Sequence, residues 1–384
     1  MSAESATGVR RRPPNRKEQI LESARTLIVE GGSRNVSMAQ IASRVGITAG
    51  ALYRHFANKA VLIEAVIEAS FDEVSPTFGQ GRNLSETLGE VCSLAATRRE
   101  VGALWWQEAG SLPIDARTAL RDRLRWINQR YAELIRIERP DLPDGGPELL
   151  AWGIQSLLAS TSSYKTRMSE PEFSGLLTAA CWSLCHAQVA PPRRRSSERG
   201  GRLEPVSKRE RLLGHAIELF GENGYDMTGL DDIGTAAGVT GPNLYSYFES
   251  KSEILEAAVE RATAALWLLL HGVLRQHDDP RAALTSLVSG YVELALDRTI
   301  LTSVLQADRP ALSDSARARE REYVAEWTAL LQAARPDLAG ARARVLVHSA
   351  LGVIHAMARI DHLRDNTRFP DGLAAIALAV LFAA

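Results

Sequence analysis

Apolar residues recur at helical spacing through both halves of the 384-residue chain, and no segment shows a credible strand pattern. In the first half the pattern predicts helices at about 17–30, 37–44, 49–55, 59–74, 84–97, 101–109, 114–137, 147–165 and 172–189. In the second half it predicts helices at about 252–276, 281–296, 299–307, 313–334, 340–363 and 371–383. The sequence therefore predicts an all-α fold.

One stretch of the chain occurs twice. GITAGALYRHFANK at 46–59 returns as GVTGPNLYSYFESK at 238–251, which is 192 residues later. The match extends without a gap from 20–66 to 212–258. Further along, Arg-Pro-Asp-Leu at 139–142 recurs at 335–338, at an offset of 196. One domain type is therefore used twice.

The repeated stretch has the signals of short, separately capped helices. Ser37 can cap a helix that ends near residue 44, and Gly46 tolerates the positive φ of a tight turn. Thr48 can then cap a second short helix, and Asn58 can cap a third. Two short helices joined by a glycine-containing turn form a helix-turn-helix, whose second helix enters the DNA major groove.

This pattern resembles the TetR family of transcriptional regulators. The resemblance is carried by the helix at 17–30, by Gly32, and by the signature Leu-Tyr-x-x-Phe-x-x-Lys at 52–59, which recurs at 244–251. It implies two TetR-like halves. Each would have an N-terminal three-helix DNA-binding unit and a C-terminal helical region for ligand binding and dimerisation.

The resemblance also implies roles for single residues. Phosphate contacts are expected from Tyr53, His55, Lys59, Tyr245, Tyr247 and Lys251. Base-edge contacts are expected from Thr48, Ala49, Ala51, Arg54, Thr240, Asn243 and Ser246, and Ser37 completes the DNA-binding set. The alternatives are that Tyr53 and Tyr245 partly pack, and that Lys59 is a solvated first-turn lysine. Leu52, Phe56, Leu244 and Phe248 are expected in the core.

The chain divides into six segments on this interpretation. They are a flexible basic arm (1–15), a first DNA-binding domain (16–66), a first regulatory domain (67–189), a linker (190–206), a second DNA-binding domain (207–258) and a second regulatory domain (259–384). The arm is either an arginine arm for the minor groove or a solvated tail.

Composition bounds the function without identifying it. The net charge of −1 does not indicate a nucleic-acid binder, so any DNA affinity must come from local patches. No signal-peptide or membrane-spanning run is evident, and we expect a cytoplasmic protein with no membrane partner. No Walker loop, dinucleotide fingerprint, HExxH or Gly-x-Ser-x-Gly motif occurs, and we expect neither an enzyme nor a cofactor.

The regulatory regions are expected to pair and to sense a small molecule. The two long final helices of each half are candidates for a four-helix interface, in an intrachain pseudo-dimer or in a homodimer. Aromatic enrichment suggests an apolar effector site in the first half, because ligand pockets are mostly apolar and aromatic. The candidate lining is Trp105, Trp106, Gln107, Trp126, Tyr131 and Trp152; the alternative is that these residues fill the core.

Two sets of metal-ligand residue types have simpler interpretations. His348, His355 and His362 lie seven residues apart, about 10.5 Å per step along a helix, so one metal cannot bind all three. We expect a polar stripe at a helix interface. Cys181 and Cys185 sit one turn apart beside His186, and buried core cysteines are expected rather than a redox or metal pair.

The two copies differ in charge. Residues 15–67 carry seven basic and four acidic side chains, whereas 207–259 carry four basic and nine acidic ones. The second copy also has Gly229 where the family usually has a hydroxyl cap, and Pro242 in its second short helix. The sequence predicts a sequence-specific DNA-binding regulator, a repressor released by a small apolar ligand. The alternative is a regulator or interaction protein whose second helix-turn-helix has weak or lost DNA binding.

Overall fold

The computed structural model describes residues 16–102, 104–108, 112–191, 193, 205–223, 225, 227–239, 241–297 and 314–383. Within these ranges the secondary structure is helical and contains no β-strand, which confirms the all-α prediction. The expected helix at 299–307 lies outside the described residues.

The first half follows the predicted order closely. Its helices are α1 (Arg16–Gly31), α2 (Met38–Val45), α3 (Ala49–His55), α4 (Lys59–Val74), α5 (Leu84–Thr97), α6 (Leu104–Glu108), α7 (Ile114–Glu138), α8 (Gly146–Ser160) and α9 (Glu170–Cys185). Short 3₁₀ turns occupy Ser33–Asn35, Ser75–Phe78 and Thr161–Ser163. The predicted helix at 147–165 therefore ends as a 3₁₀ turn rather than continuing to Lys165.

The second half repeats the plan. Its described helices are α10 (Lys208–Asn223), α11 (Leu230–Ala236), α12 (Gly241–Leu244), α13 (Lys251–Gln276), α14 (Pro280–Leu296), α15 (Asp314–Ala334), α16 (Gly340–Met357), α17 (Asp361–Arg364) and α18 (Phe369–Leu381). The predicted helix at 340–363 is broken after Met357, where Ala358–Ile360 leave the helix.

The structure forms two compact units that do not coincide with the two halves. One unit contains the chain up to Pro76 together with Leu104–Leu124, and the other contains Thr77–Ala103 and Arg125–Ala384. In the first unit α1 packs on α2 and α4, and α6 packs on α4. Its core is lined by Ile20, Ala24, Ile41, Leu52, Phe56, Leu62 and Val66, all nearly inaccessible to solvent.

The second unit is built around four apolar helices, two from each half. α8 and α9 of the first half pack on each other, α16 and α18 of the second half do the same, and the pairs meet through α8 with α16 and α9 with α18. Every residue of α8 except Glu148 is buried. A helix that is apolar on all sides must be covered on all sides.

Polar contacts between the two halves lie at the edges of this four-helix core. The Tyr164 hydroxyl lies 3.0 Å from the Ser349 hydroxyl, and the Ser183 hydroxyl donates to the Ala379 carbonyl at 2.7 Å. His362 Nε2 lies 3.1 Å from a carboxylate oxygen of Glu148, and this hydrogen bond lowers the pKa of Glu148.

The repeated Arg-Pro-Asp-Leu element makes the same clip in both halves. Arg139 donates to Asp141 at 2.8 Å and to the Cys185 carbonyl at the end of α9. Arg335 donates to Asp337 at 2.9 Å and to the Ala383 carbonyl just after α18. Each arginine lowers the pKa of its aspartate through this hydrogen bond. A shared tertiary contact supports duplication of the C-terminal regions as well.

One described helix, α13, is long and apolar enough by length and composition to cross a membrane. Its N-terminal turns bury Ile254, Leu255 and Ala258 in the core of the second repeat copy. Packing therefore accounts for the apolar residues at this end of the helix.

Close packing between the halves can be tested at Gly352 of α16, where an added Cβ would overlap the Cβ of Ser160 on α8. Gly352→Ala should lower the free energy of unfolding by about 1–3 kcal/mol, the usual effect of overpacking. Gly175→Ala on α9 is the matched control, because an added Cβ there meets nothing within 4 Å. It should be neutral or stabilising by up to about 1 kcal/mol. Urea denaturation followed by circular dichroism measures both, and equal stability of the two variants would contradict this packing.

Candidate nucleic-acid interface

Local hydrogen bonds fix the turn of the first helix-turn-helix. Ser37 caps α2 in a reciprocal box: its hydroxyl accepts from the Gln40 amide at 3.1 Å, and Gln40 Oε1 accepts from the Ser37 amide at 2.7 Å. Gly46 has φ 72°, in the left-handed region that the turn requires. Thr48 caps α3 through the Ala51 amide at 3.2 Å. The predicted caps, including Asn58 on α4, are confirmed.

α3 separates core residues from exposed polar ones. Leu52 and Phe56 are buried, whereas Tyr53 is 51% exposed and its neighbours Arg54 and His55 are exposed. Thr48 and Ala49 are exposed at the start of the helix, and Ala51 is half-buried. Thr48, Ala49, Tyr53, Arg54 and His55, which are predicted base-edge and phosphate residues, are thus exposed at the start of α3 or along it, whereas Lys59 lies on α4. Their contacts with DNA remain predictions.

The basic side chains of the first copy serve different purposes. Arg25 is buried and pairs with Glu73 at 2.6 Å, so it ties α1 to α4 and cannot meet DNA without breaking this pair. The ammonium of Lys17 lies 5.9 Å from the Phe56 ring centroid. Lys59, in the first turn of α4, is half-buried. Among the predicted contact residues, Arg54 holds the most exposed positive charge.

The second copy has the same core and turn. Leu212, Ala216, Ile233, Leu244 and Phe248 are buried at the positions equivalent to core residues of the first copy. Gly238 has φ 65°. The Arg209 guanidinium lies 4.5 Å from the Phe248 ring centroid, and Arg209 is the equivalent of Lys17, which lies over Phe56. The local fold of the repeat is therefore retained.

The equivalent of α3 is shorter in the second copy. α12 has four residues where α3 has seven. Tyr245 is 58% exposed, and Ser246 donates its hydroxyl to the Asn243 carbonyl at 2.7 Å. Tyr247 packs against the core, and Thr240 lies outside the described residues. The second copy thus presents a smaller helical surface.

Lys251 has a well-defined structural role. Its ammonium donates to the carbonyls of Tyr225 at 2.8 Å and Thr228 at 3.0 Å, and it lies 4.4 Å from the Tyr225 ring centroid. These contacts fasten the loop between α10 and α11 to the start of α13. Asp232 in the first turn of α11 accepts from the Gly229 amide at 2.8 Å, and Gly229 has no side chain to accept from the first-turn amides in return.

Replacing Lys251 by Met should weaken this loop, because two carbonyls lose a charged donor while the aliphatic stem is kept. We expect local stability to fall by about 1 kcal/mol, with faster hydrogen exchange at the Ile233 and Val239 amides. Lys208→Met, at an exposed position of α10, is the control and should leave exchange unchanged. Unchanged exchange in Lys251→Met would show that the contacts do not stabilise the loop.

Contacts that the sequence did not predict attach α6 and α7 to α4 and to the 3₁₀ turn after α1. The Ser33 amide donates to buried Glu108 at 3.2 Å, and Trp105 lies 6.5 Å from Phe71, centroid to centroid. Arg123 donates to Asp72 at 2.7 Å. Sequence patterns do not show which distant residues meet. These contacts of α6 and α7 therefore could not be predicted from the sequence.

The described candidates for ligand binding have different aromatic neighbours. Phe78 lies 6.0 Å from Trp126 and 4.7 Å from Tyr131, whereas Trp152 lies 6.0 Å from the ring of His362. Trp105 belongs to the other compact unit. The side chains of Trp106 and Gln107 lie outside the description. The structure thus places Trp126 and Tyr131 beside the same ring, that of Phe78.

A second aromatic cluster lies in the second half, which the tryptophan count alone did not suggest. Tyr291 lies 5.4 Å from Trp327 and 6.4 Å from Tyr323, and Trp267 lies 5.6 Å from Tyr323. The Tyr291 hydroxyl lies 2.7 Å from His355 Nε2. The missed signal was the pair Tyr323 and Trp327, four residues apart on α15.

The histidines and cysteines have separate surroundings: His348 and His355 are half-buried, and His362 is exposed. His348 stacks on Tyr164, so this histidine and His362 both face the first half, whereas His355 meets Tyr291. Across the described ranges no group of three or more His, Cys, Asp or Glu side chains is placed to hold a metal ion. Cys181 and Cys185 are buried, as expected, and burial raises the pKa of Cys185 to about 12.

Comparison with known proteins identifies the repeated segment. Residues 20–66 and 212–258 each match the family described as "Bacterial regulatory proteins, tetR family". The activator FasR of Mycolicibacterium smegmatis is 35% identical over 97 residues, which are 25% of this chain and 44% of FasR. The repressor KstR2 of the same organism is 27% identical over 146 residues, 35% of this chain and 71% of KstR2.

A solved structure and a further sequence relative also match. A TetR-family regulator from Bordetella parapertussis is 24% identical, with a TM-score of 0.42, and the match covers 46% of this chain and 95% of that protein. The regulator TtgR of Pseudomonas putida is 34% identical over 27% of this chain and 45% of its own. This chain therefore spans under half the length of FasR and of TtgR.

Proposed function

The chain belongs to the TetR family, whose DNA-binding domain it carries twice, and from that premise we propose that it is a sequence-specific transcriptional regulator. We propose that it represses transcription and that a small apolar ligand releases it from DNA. The observation that carries the proposal is the exposed row Tyr53, Arg54 and His55 on α3, held over buried Leu52 and Phe56. Such a helix suits the major groove. This is a role in binding rather than in catalysis, and the cytoplasm is the proposed location.

We further propose that the two halves pair within one chain as a pseudo-dimer. Ser183 and Ala379 support this, because they hydrogen bond to each other and are equivalent positions at the offset of 196. A surface that meets its own counterpart is typical of a two-fold interface. The halves would then read unlike half-sites, since Ala49-Gly50-Ala51 faces one and Gly241-Pro242-Asn243 the other.

The alternative for the second copy rests on specific observations. α12 is short, Lys251 is engaged by backbone carbonyls, and residues 207–259 carry five more acidic than basic side chains. Each feature weakens attraction to phosphates. On this alternative the first copy binds DNA, and the second half only packs against the first half through the four-helix core.

Support for a ligand site in the first half comes from buried polar groups. Gln155 donates to Asn128 at 2.7 Å, and both are buried on facing helices α8 and α7. Among the described residues, the hydroxyls of Tyr131 and Ser156 are buried and have no hydrogen-bond partner. A buried polar group without a partner is unfavourable, and a ligand that offers a polar atom would satisfy it.

DNA binding is tested by selecting genomic fragments with the purified chain and then titrating salt. We expect a pseudo-palindromic duplex and a steep loss of affinity with salt. Lys59→Ala should weaken binding to all sequences and lower the salt slope by about one, as loss of a phosphate contact does. Arg275→Ala removes one positive charge from an exposed position of α13 and serves as control. An unchanged slope in Lys59→Ala would show that this lysine does not contact a phosphate.

Ligand sensing is tested by tryptophan emission. An apolar effector bound in the first half should quench emission and loosen DNA binding, because regulation requires that it favour one conformation. The quench should be smaller in Trp126→Phe and Trp152→Phe and unchanged in Trp267→Phe. A metabolite screen in which every quenching compound leaves DNA affinity untouched would contradict this role.

A further inference from the structure

A cleft of about 510 Å³ opens between the two halves inside the second compact unit. One wall is the segment 163–165 that follows α8, and the other is formed by α15 and α16. The volume lies within the range of sites for small molecules. Neither half encloses this space alone.

The charge of the lining is strongly positive. Lys165, Arg317, Arg321 and Arg344 line the cleft, and Glu320 is the one carboxylate among the described lining residues. Lys165, Arg321 and Arg344 are exposed to solvent and come from three different elements. In a chain whose net charge is −1, four cations around one concave space are a local concentration of positive charge. Such a concentration attracts anions.

The floor of the cleft is a rigid aromatic pair. Tyr164 and His348 stack with their ring centroids 4.9 Å apart and their planes 12° apart. The Tyr164 hydroxyl is held 3.0 Å from the Ser349 hydroxyl, and Arg99 donates to the Tyr164 carbonyl at 2.6 Å. Because these bonds fix the pair, its shape exists before any ligand binds.

Of the other described lining residues, Val324 and Ala325 are apolar and Ser163 is polar. Val324 and Ala325 belong to α15, the helix that also supplies Arg317 and Arg321 to the lining. The cleft thus joins a cationic rim, an apolar side and an aromatic floor. An inorganic anion would use the rim only, whereas a ligand with both an anionic group and an apolar or planar body would use all three.

We propose that this cleft binds an organic anion that carries a carboxylate or phosphate group and an apolar or planar body. The anionic group lies among Lys165, Arg321 and Arg344, and the body lies on the Tyr164–His348 pair. Since the lining comes from both halves, the ligand favours the arrangement in which the halves are packed. The site is separate from the apolar effector site proposed in the first half.

The test is calorimetric titration of the full chain without DNA, using 1-naphthyl phosphate and 1-naphthoate as anionic probes. The neutral 1-naphthol and inorganic phosphate are the matched controls. Both anionic probes should bind, and the tighter one shows whether the cleft prefers a phosphate or a carboxylate. Both controls should bind at least tenfold more weakly than the tighter probe. Equal binding of 1-naphthol would overturn the proposal.

Amino-acid substitutions test whether the probe binds in the cleft. Arg321→Gln with Arg344→Gln should weaken the better probe at least tenfold, whereas Arg319→Gln, exposed on the same helix α15, should change it less than twofold. Equal weakening by Arg319→Gln, or none in the double variant, would contradict the site. Thermal midpoints within about 2 °C of the parent show that the variants fold. Because no DNA is present, failure of DNA binding leaves this result unaffected.

Discussion

The four apolar helices that meet between the halves constrain the rest of the second compact unit. α8 buries all its residues except Glu148, and α18 buries Leu373, Ile376, Ala377, Val380 and Leu381. Neither helix has a face that water could cover without loss of hydrophobic free energy. Within one chain this requirement is met by the partner pair of the other half, and the polar contacts at Tyr164, Ser183 and His362 mark its edges.

Duplication followed by divergence explains why the two copies have equivalent core residues but different surface residues. Packing of Leu52 and Phe56 is repeated by Leu244 and Phe248, since a change in volume there would be destabilising. At the surface the constraint is absent, and the first copy has kept an exposed Arg54 where the second has Ser246. A tandem arrangement permits this asymmetry, whereas two identical chains would always present two identical reading helices.

Much of this architecture was predictable from the sequence because its causes are local. Helical periodicity located most of the helices, and the caps at Ser37, Thr48 and Asn58 follow from side-chain chemistry within three residues. Contacts set by tertiary packing were not predictable. The inward turn of Lys251, the pairing of Arg123 with Asp72, and the stack of Tyr164 on His348 each join residues distant in sequence. The DNA-contact residues stay predictions, because exposure on α3 indicates availability and not contact.

The central claim is that the two halves of one chain cover each other's apolar helices. Light scattering of the purified protein at micromolar concentration tests it most directly. The account predicts a mass near 41.9 kDa together with cross-links between the first and second half of the same chain. A mass near twice that value, with cross-links joining like halves of two chains, would contradict it.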